Sequence, residues 1–467
     1  MVRSDLKVKW KLRNKNQVIQ RAGHCSANIP GTPLMYVFGG SNNHVGDHVE
    51  SKELDVYNCN TNSWRRAGIC FEKEEEDVKV VRPKPRISPA MVGIERGQMI
   101  GELSYTSTTI SETQEPHNAL ILFGGWSDDT VLNDLWKFNC KTEKWINLTD
   151  KQKGQIPPPR SNHSAVVIDQ NFIVFGGMGE ETEDVKQDMY ILDLQTLQWR
   201  KIVLDDSDDK PPASRSHACC VHRKSMVLFG GGTEKVCFNH MYKFDLEVER
   251  WVKIKPNKSE ELLEAEKDPT KAIPSNLVLI EPEPRMFSVA VTYDKDRMFL
   301  FGGRNGKQKI NEVWQFDFLN NQWNLMQVGD YIEDDTNTLV LNDDEMPGIE
   351  ENEVSEPSFP PKFASSSNDV EMTDASPIAS PLTPHASMFS KKHPTKPTPR
   401  TGVSMVVVTT GKSIGPKFDK ILVFGGNDAK GKLSEVWELV VNQRTYTKNL
   451  ERLIESEMFS DLSIKVR

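Results

Sequence analysis

No run of the chain approaches the roughly 18 consecutive apolar residues that a membrane span needs, and the leading MVRSDLKVKWKLRNK lacks the apolar centre of a signal peptide. Cysteine is scarce: seven in 467 residues, with no CxxC pair among positions 25, 59, 70, 140, 219, 220 and 237. A chain this long needs no disulfide staples, so these read as reduced thiols and the expected setting is intracellular and cytoplasmic. Concentrated basic charge is missing too. With 58 Lys+Arg against 67 Asp+Glu the net charge is −9, which argues against phosphate-driven nucleic-acid binding and in favour of protein partners. There is no nucleophile elbow, phosphate loop or HExxH motif, and each of those chemistries needs its motif at fixed spacing.

What the chain does have is repetition. An apolar run closed by Phe-Gly-Gly occurs six times, with glycines at Gly39 and Gly40, Gly124 and Gly125, Gly176 and Gly177, Gly230 and Gly231, Gly302 and Gly303, Gly425 and Gly426. After five of these pairs an alternating aromatic run ends in tryptophan, at Trp64, Trp145, Trp199, Trp251 and Trp323; the sixth has Tyr446 there. Before each pair stands an arginine, read as Arg21, Arg86, Arg160, Arg215, Arg285 and Arg400. Short β-branched and aromatic runs cut by turn residues predict four strands per copy. Strands apolar on both faces suit sheets sandwiched between neighbours, as in a propeller. The glycines, phenylalanines and tryptophans are therefore structural. Val8, Trp10 and Leu12 alternate with Lys7, Lys9, Lys11 and Arg13, and Trp10-Lys11-Leu12 matches the Trp-led fourth strands. The N-terminal strand is thus expected to complete the last blade, whose own outer strand is degraded at Tyr446.

These motifs resemble the kelch repeat, with six copies over residues 5–446. The implied fold is all-β: a six-bladed kelch β-propeller closed by the N-terminal strand and interrupted by long disordered insertions. Such repeats need about 50 residues, and the spacings exceed that at three places, predicting inserts at 71–116, 259–283 and 329–398. The last holds eleven Asp/Glu and no Lys or Arg between Gly329 and Pro361, and then turns Ser/Pro-rich. Segments so poor in apolar residues cannot offset their ordering entropy. Ser376, Ser380, Thr383 and Thr398 each precede proline and are expected phosphorylation sites.

Residues 447–467 read as a linker helix followed by Phe459-Ser460-Asp461-Leu462-Ser463-Ile464, which resembles the opening of a BTB domain. The chain is accordingly expected to be a fragment of a longer protein. Propeller first and BTB second resembles the leucine-zipper-like transcriptional regulator family and the fungal kelch proteins of Ras activation. That resemblance implies an adaptor that is not an enzyme. Its client would be a Ras-type small GTPase, and the BTB region would support self-association or recruit a cullin ubiquitin ligase. Location would be cytoplasmic, with recruitment to endomembranes or the cell cortex through partners. Kelch propellers bind partners on the face made by the loop entering the first strand and the loop leaving Gly-Gly. Carried over position by position, the partner-binding residues are Trp126, Ser127, Asn162, Met178, His217, Phe287, Arg304 and Asn427. Two alternatives stand beside this reading: a cell-polarity or cytoskeletal scaffold, and a copper-radical oxidase, which would need two His, two Tyr and a Cys converging on the axis. His24, His163 and His217 instead share one repeat position, so no metal and no cofactor are expected.

Overall fold

The computed structural model describes residues 7–15, 18, 20–44, 47–68, 81–95, 118–181, 183–203, 209–257, 281–329, 395–410 and 418–441. They form six sheets of four strands or more, antiparallel except where the two-residue strands Lys153–Gly154 and Gln327–Val328 add on in parallel. Blade three shows the plan: Ser164–Ile168, Asn171–Phe175, Met189–Asp193 and Gln198–Lys201 pair in sequence order. The innermost strand of each blade meets the innermost strands of both neighbours, including the first strand of blade one (Ala22–Asn28) against that of blade six (Ser404–Thr410). The ring is therefore closed.

Closure is made by the N-terminal strand, as its alternation predicts. Lys7–Asn14 pairs antiparallel with Val436–Val441, with Trp10 opposite Leu439. Its apolar residues Val8 and Trp10 fill the seam between blades five and six. The opposite side latches onto blade one: Arg13 donates to the Cys59 carbonyl at 3.2 Å and pairs with Glu438 at 3.5 Å, while Asn14 donates to the Asn62 carbonyl at 3.1 Å. A further strand, Gln327–Val328, lies parallel along the outer side of the N-terminal strand. That pairing covers an edge that would otherwise offer unpaired backbone groups to another chain.

Six apolar clusters hold the ring, each lying in the seam between two adjacent blades. One contact recurs in every seam. The Phe before Gly-Gly in one blade packs against the fourth-strand Trp of the next, in the pairs Phe38–Trp145, Phe123–Trp199, Phe175–Trp251, Phe229–Trp323, Phe301–Trp10 and Phe424–Trp64. Ring centroids lie 5.0 to 5.4 Å apart, three pairs tilted and three edge-to-face, geometries worth about 1 kcal/mol beyond area burial. Trp10 fills in blade six the place that the fourth-strand Trp holds in the other five blades.

Gly-Gly is explained by crowding as well as by conformation. Gly176 and Gly177 have φ of 64° and 94°. A Cβ on Gly176 would stand 2.7 Å from the Ser214 carbonyl oxygen, and one on Gly177 would stand 2.6 Å from that of Ser161. The second glycine then donates its N–H to the next blade, Gly177 to the Ser214 carbonyl at 3.0 Å and Gly125 to the Arg160 carbonyl at 3.0 Å.

Two sequence expectations need correction. The range 71–116 holds the first strand of blade two, Ala90–Ile94, preceded by Arg86; measuring the insert from the end of one Trp-led strand hides the short strand inside it. Arg215 is not the arginine of blade four. In five blades the repeat arginine is fully buried, gives Nη1 to the first Gly carbonyl at 3.0 to 3.5 Å, and pairs with an acid: Arg21–Asp55, Arg86–Asp134, Arg160–Asp188, Arg285–Glu312 and Arg400–Glu435. In blade four that backbone place belongs to Ser214, and the residue before the third strand is His240, not an acid. Both members of the clamp are absent together, and Arg215 sits one residue further on, in the loop. Residues 71–80 and 96–116, the bulk of the 259–283 and 329–398 inserts, Ser376, Ser380, Thr383, and the 447–467 segment lie outside the described residues.

Candidate interaction face

The entering loop and the residue after Gly-Gly are tied together in every blade. Antiparallel bridges join Ile87 to Trp126, Ser161 to Met178, Arg215 to Gly232, Met286 to Arg304 and Thr401 to Asn427; in blade one Ala22 pairs with Ser41. One residue inward, Gly23, Ser88, Asn162, Ser216, Phe287 and Gly402 all adopt left-handed φ, from 51° to 71°. Four of the six carry a side chain, and a left-handed φ is costly for them outside a constrained site. The constraint is a hoop of backbone hydrogen bonds around the axis. Ser88 donates to Gly23 at 2.7 Å, Asn162 to Ser88 at 3.1 Å, Ser216 to Asn162 at 2.9 Å, Phe287 to Ser216 at 2.9 Å and Gly23 to Gly402 at 3.3 Å. The loops of this face thus share one backbone framework, and their side chains are free to vary.

Of the predicted partner-binding residues, Trp126, Met178, Asn162 and Phe287 are half-buried at this face and Arg304 is exposed. The Arg304 guanidinium lies 5.4 Å above the Phe287 ring. Asn427 is half-buried and accepts from Lys309 Nζ at 3.2 Å, and the same ammonium reaches the Asp428 carbonyl at 2.8 Å. Two residues do not belong. Ser127 is 1% exposed and His217 is 9% exposed. His217 lies in the seam, with Nδ1 3.1 Å from Ser164 Oγ and Nε2 2.8 Å from Ser214 Oγ, and its ring packs on Phe175. A first-strand residue points alternately to channel and seam, so stepping one residue along the loop turned a surface place into a buried one.

Below the hoop runs a central cavity of about 240 Å³, lined by residues of all six blades, among them His24, His163, His217, Cys25 and Cys219. Burial pushes the three imidazoles down, His24 and His163 to about 3 and His217 to about 4. Each is therefore neutral at physiological pH. Each packs under a glycine of its seam, against Gly425, Gly124 and Gly176 respectively. Burial also raises the Cys25 thiol to about 12, which leaves it a poor nucleophile. Among the described residues no group of three or more His, Cys, Asp or Glu is arranged to hold a metal ion, and none of their helices is long and apolar enough to cross a membrane.

Thr398 occupies a structural place. Its hydroxyl donates to Asp428 Oδ2 at 2.8 Å and accepts from Arg400 Nη2 at 3.0 Å, so the one expected phosphorylation site within the described residues is part of the blade-six clamp.

Arg215 was missed as a face residue. Its signal was present in the histidines: counting back from His163 and His217, the position of Arg160 falls on Ser214.

Residues 23–263, more than half of the chain, match the family model of the KLHDC2/KLHL20/DRC7 Kelch-repeats domain, and residues 285–327 match the Kelch motif. Similar curated proteins include Tip elongation aberrant protein 1 of Schizosaccharomyces pombe, 30% identical over 203 residues, which are 42% of this chain and 15% of that protein. The Leucine-zipper-like transcriptional regulator 1 homolog of Drosophila melanogaster is 27% identical over 214 residues, 44% of this chain and 19% of the relative. Kelch domain-containing protein 3 of Bos taurus is 22% identical over 306 residues, 63% of this chain and 67% of the relative. The chain spans less than a fifth of the length of the first two.

Proposed function

The chain belongs to the kelch-repeat family matched over residues 23–263, and from that premise we propose that it is a protein-recognition module whose partner docks on the loop face. One observation carries this reading: Phe287 stands on the hydrogen-bonded hoop and Trp126, Met178 and Arg304 are bridged to the residues next to it, all four partly or fully exposed, while the seams that hold the ring together lie elsewhere. Aromatic, Met and Arg side chains supply most interface energy. A rigid frame also lowers the ordering cost of binding.

The favoured client is a Ras-type small GTPase, in keeping with the order of motifs in the sequence and with similarity to the Drosophila leucine-zipper-like regulator homolog. The propeller would hold the client while a BTB region beyond it mediates self-association or recruits a cullin ubiquitin ligase. Phosphate added at Ser376, Ser380 or Thr383 would deepen the negative charge of the long insert and tune access to partners. The setting is cytoplasmic, with recruitment to endomembranes or the cell cortex by partners. The test is retention of nucleotide-loaded small GTPases on the immobilised full chain and on Trp126→Ala. Retention by the wild type, reduced at least about tenfold in the variant, is expected; no retention by the wild type overturns the client.

A second reading, a cell-polarity scaffold, is favoured by the 30% identity to a protein whose name records aberrant tip elongation. It uses the same face with a different partner. Capture of cortical or cytoskeletal proteins in place of GTPases would decide for it.

A further inference from the structure

The residue two places before a clamp arginine ties the entering loop of its blade to the hairpin that follows Gly-Gly. Its carbonyl accepts the arginine Nε–H, at 3.0 Å in the pairs Arg86–Lys84, Arg285–Glu283 and Arg400–Thr398. Its side chain meets the hairpin tip. Lys84 Nζ lies 3.9 Å from Asp128 Oδ2, and Glu283 Oε2 accepts from Asn305 Nδ2 at 2.9 Å. In blade six the tie is the Thr398 hydroxyl on Asp428, a group that can be phosphorylated.

Asp428 holds its hairpin shut. Its Oδ1 accepts the amides of Lys430 at 2.8 Å and Gly431 at 3.2 Å, closing the turn between Asn427–Asp428 and Gly431–Lys432. Burial pushes its carboxyl up, but the Thr398 hydroxyl, the two amides and the Arg400 charge more than offset this and hold it below its ordinary range. It is therefore ionised at physiological pH. Both neighbouring blades lean on the same hairpin, Lys309 of blade five on Asn427 and Asp428, and Ser41 of blade one through Lys432 Nζ at 2.6 Å.

Thr398 is exposed and lies in the run Lys396-Pro397-Thr398-Pro399, whose prolines bias the residues before them to extended backbone. Ser88, the other described residue that precedes a proline, has instead a left-handed φ of 51° and an amide locked in the hoop. Phosphate would bring roughly two negative charges to a place where a hydroxyl now donates. It would face the Asp428 carboxylate with no proton between them, and two anions that close repel. The cation already bonded to that hydroxyl, Arg400, is shared with Glu435 at 3.0 Å.

We infer that Thr398 is a phosphorylation switch: its phosphate expels the Asp428 carboxylate and opens the hairpin from Asn427 to Lys432. The γ-phosphoryl group of ATP passes to Thr398 Oγ on a proline-directed protein kinase, the hydroxyl proton goes to the kinase's base, and ADP leaves. Resting on the loop-face reading, opening displaces Asn427 and changes what that face can bind.

The test treats the full chain, with Ser376, Ser380 and Thr383 replaced by alanine, with a cyclin-dependent and a mitogen-activated protein kinase and ATP. Mass spectrometry locates the phosphate, and amide hydrogen exchange reads the hairpin. Modification at Thr398 is expected, with the Lys430 and Gly431 amides exchanging at least about tenfold faster. The Lys307 and Gln308 amides, capped in the same way by Asn305 in blade five, should not change. Asp428→Asn keeps an acceptor for the turn and can donate to the phosphate, so its hairpin should stay closed when Thr398 is phosphorylated. Thr398→Val, which loses the hydroxyl without adding charge, should fall in between. No phosphate at Thr398 with either kinase overturns the site. Unchanged exchange, the phosphate being neutralised by Lys396 and Lys430, overturns the switch, as does equal opening in Asp428→Asn or equal acceleration in both hairpins. The exchange readout needs no partner, so its failure leaves the loop-face reading standing.

Discussion

Blades three and four are neighbours that share the four-strand antiparallel plan, blade three with one more short strand, Lys153–Gly154, along its outer edge, yet they are held at the axis by different chemistry. Blade three has Arg160 fully buried against Asp188 at 2.8 Å, with the Gly176 carbonyl accepting at 3.0 Å. Blade four puts Ser214 and His240 in those places. Both keep the Phe–Trp seam and the left-handed hoop residue. The seam and the hoop therefore suffice for the fold, and the ion pair is an addition that can be given up. Giving up both partners together avoids the strongly unfavourable state of one buried charge without the other.

The comparison breaks if the seams are unequal, and this is where the largest effect is expected. Trp199→Ala in blade three and Trp251→Ala in blade four should each cost about 3 to 5 kcal/mol by guanidinium denaturation; a loss under about 1 kcal/mol for Trp199→Ala alone would mean that the clamp, not the seam, carries blade three, and one that small for Trp251→Ala would mean that the seam does not hold blade four. Next comes the clamp itself. Asp188→Ala, which strands Arg160, should cost about 3 kcal/mol, while Arg160→Ser with Asp188→His, copying blade four, should recover at least about 1 kcal/mol of it.

The histidines sharpen the comparison by pH. His163 and His217 have pKa values depressed to about 3 and about 4, whereas an unfolded imidazole titrates near 6.5. The folded state binds fewer protons than the unfolded state between those limits. Stability is thus fully present above about pH 6.5 and lost as pH falls towards 4, each histidine contributing up to about 1.4 kcal/mol per pH unit. His163→Phe should flatten the acid limb of a Tm-against-pH curve; an unchanged limb would remove His163 from the account. The smallest expected change is Arg215→Gln, under about 0.5 kcal/mol in stability, because the side chain's partner in the folded chain is the Met178 thioether, a weak acceptor. A cost comparable to that of Asp188→Ala would place Arg215 back in the clamp.

The fold was legible because its signals are six-fold. Glycine pairs, phenylalanines and tryptophans repeat in register, and even the closing strand announced itself through the Trp10-Lys11-Leu12 likeness. The edge strand Gln327–Val328 was not legible, since two residues carry no periodicity. The face was legible at Trp126, Met178, Phe287 and Arg304, whose distance from Gly-Gly or from the arginine fixes their place. It failed at blade four. There a chance Arg beside the true repeat position offered a better match by residue type than Ser214 does, and the slip of one residue is resolved by the histidine spacing, by the packing of His217 beneath Gly176 and by the Gly177 N–H donated to the Ser214 carbonyl. Ser127 failed for a related reason: at the tip of the hairpin, where it pairs with Thr130, burial depends on which way the ladder turns, and residue type does not report that.

The latch between Lys7–Asn14 and Val436–Val441 also sets an order in time. Trp10 leaves the ribosome long before Leu439, more than four hundred residues ahead of its partner. At about 5 to 20 residues per second, the first strand waits on the order of a minute with Val8, Trp10 and its unpaired edge uncovered. Five blades can assemble in sequence during that interval, but the sixth must recruit the oldest part of the chain, a contact of extreme sequence separation and so the slow step in forming the ring. A strand shielded by chaperone through that interval, or transiently paired elsewhere, would govern the yield of this protein more than the strength of any blade.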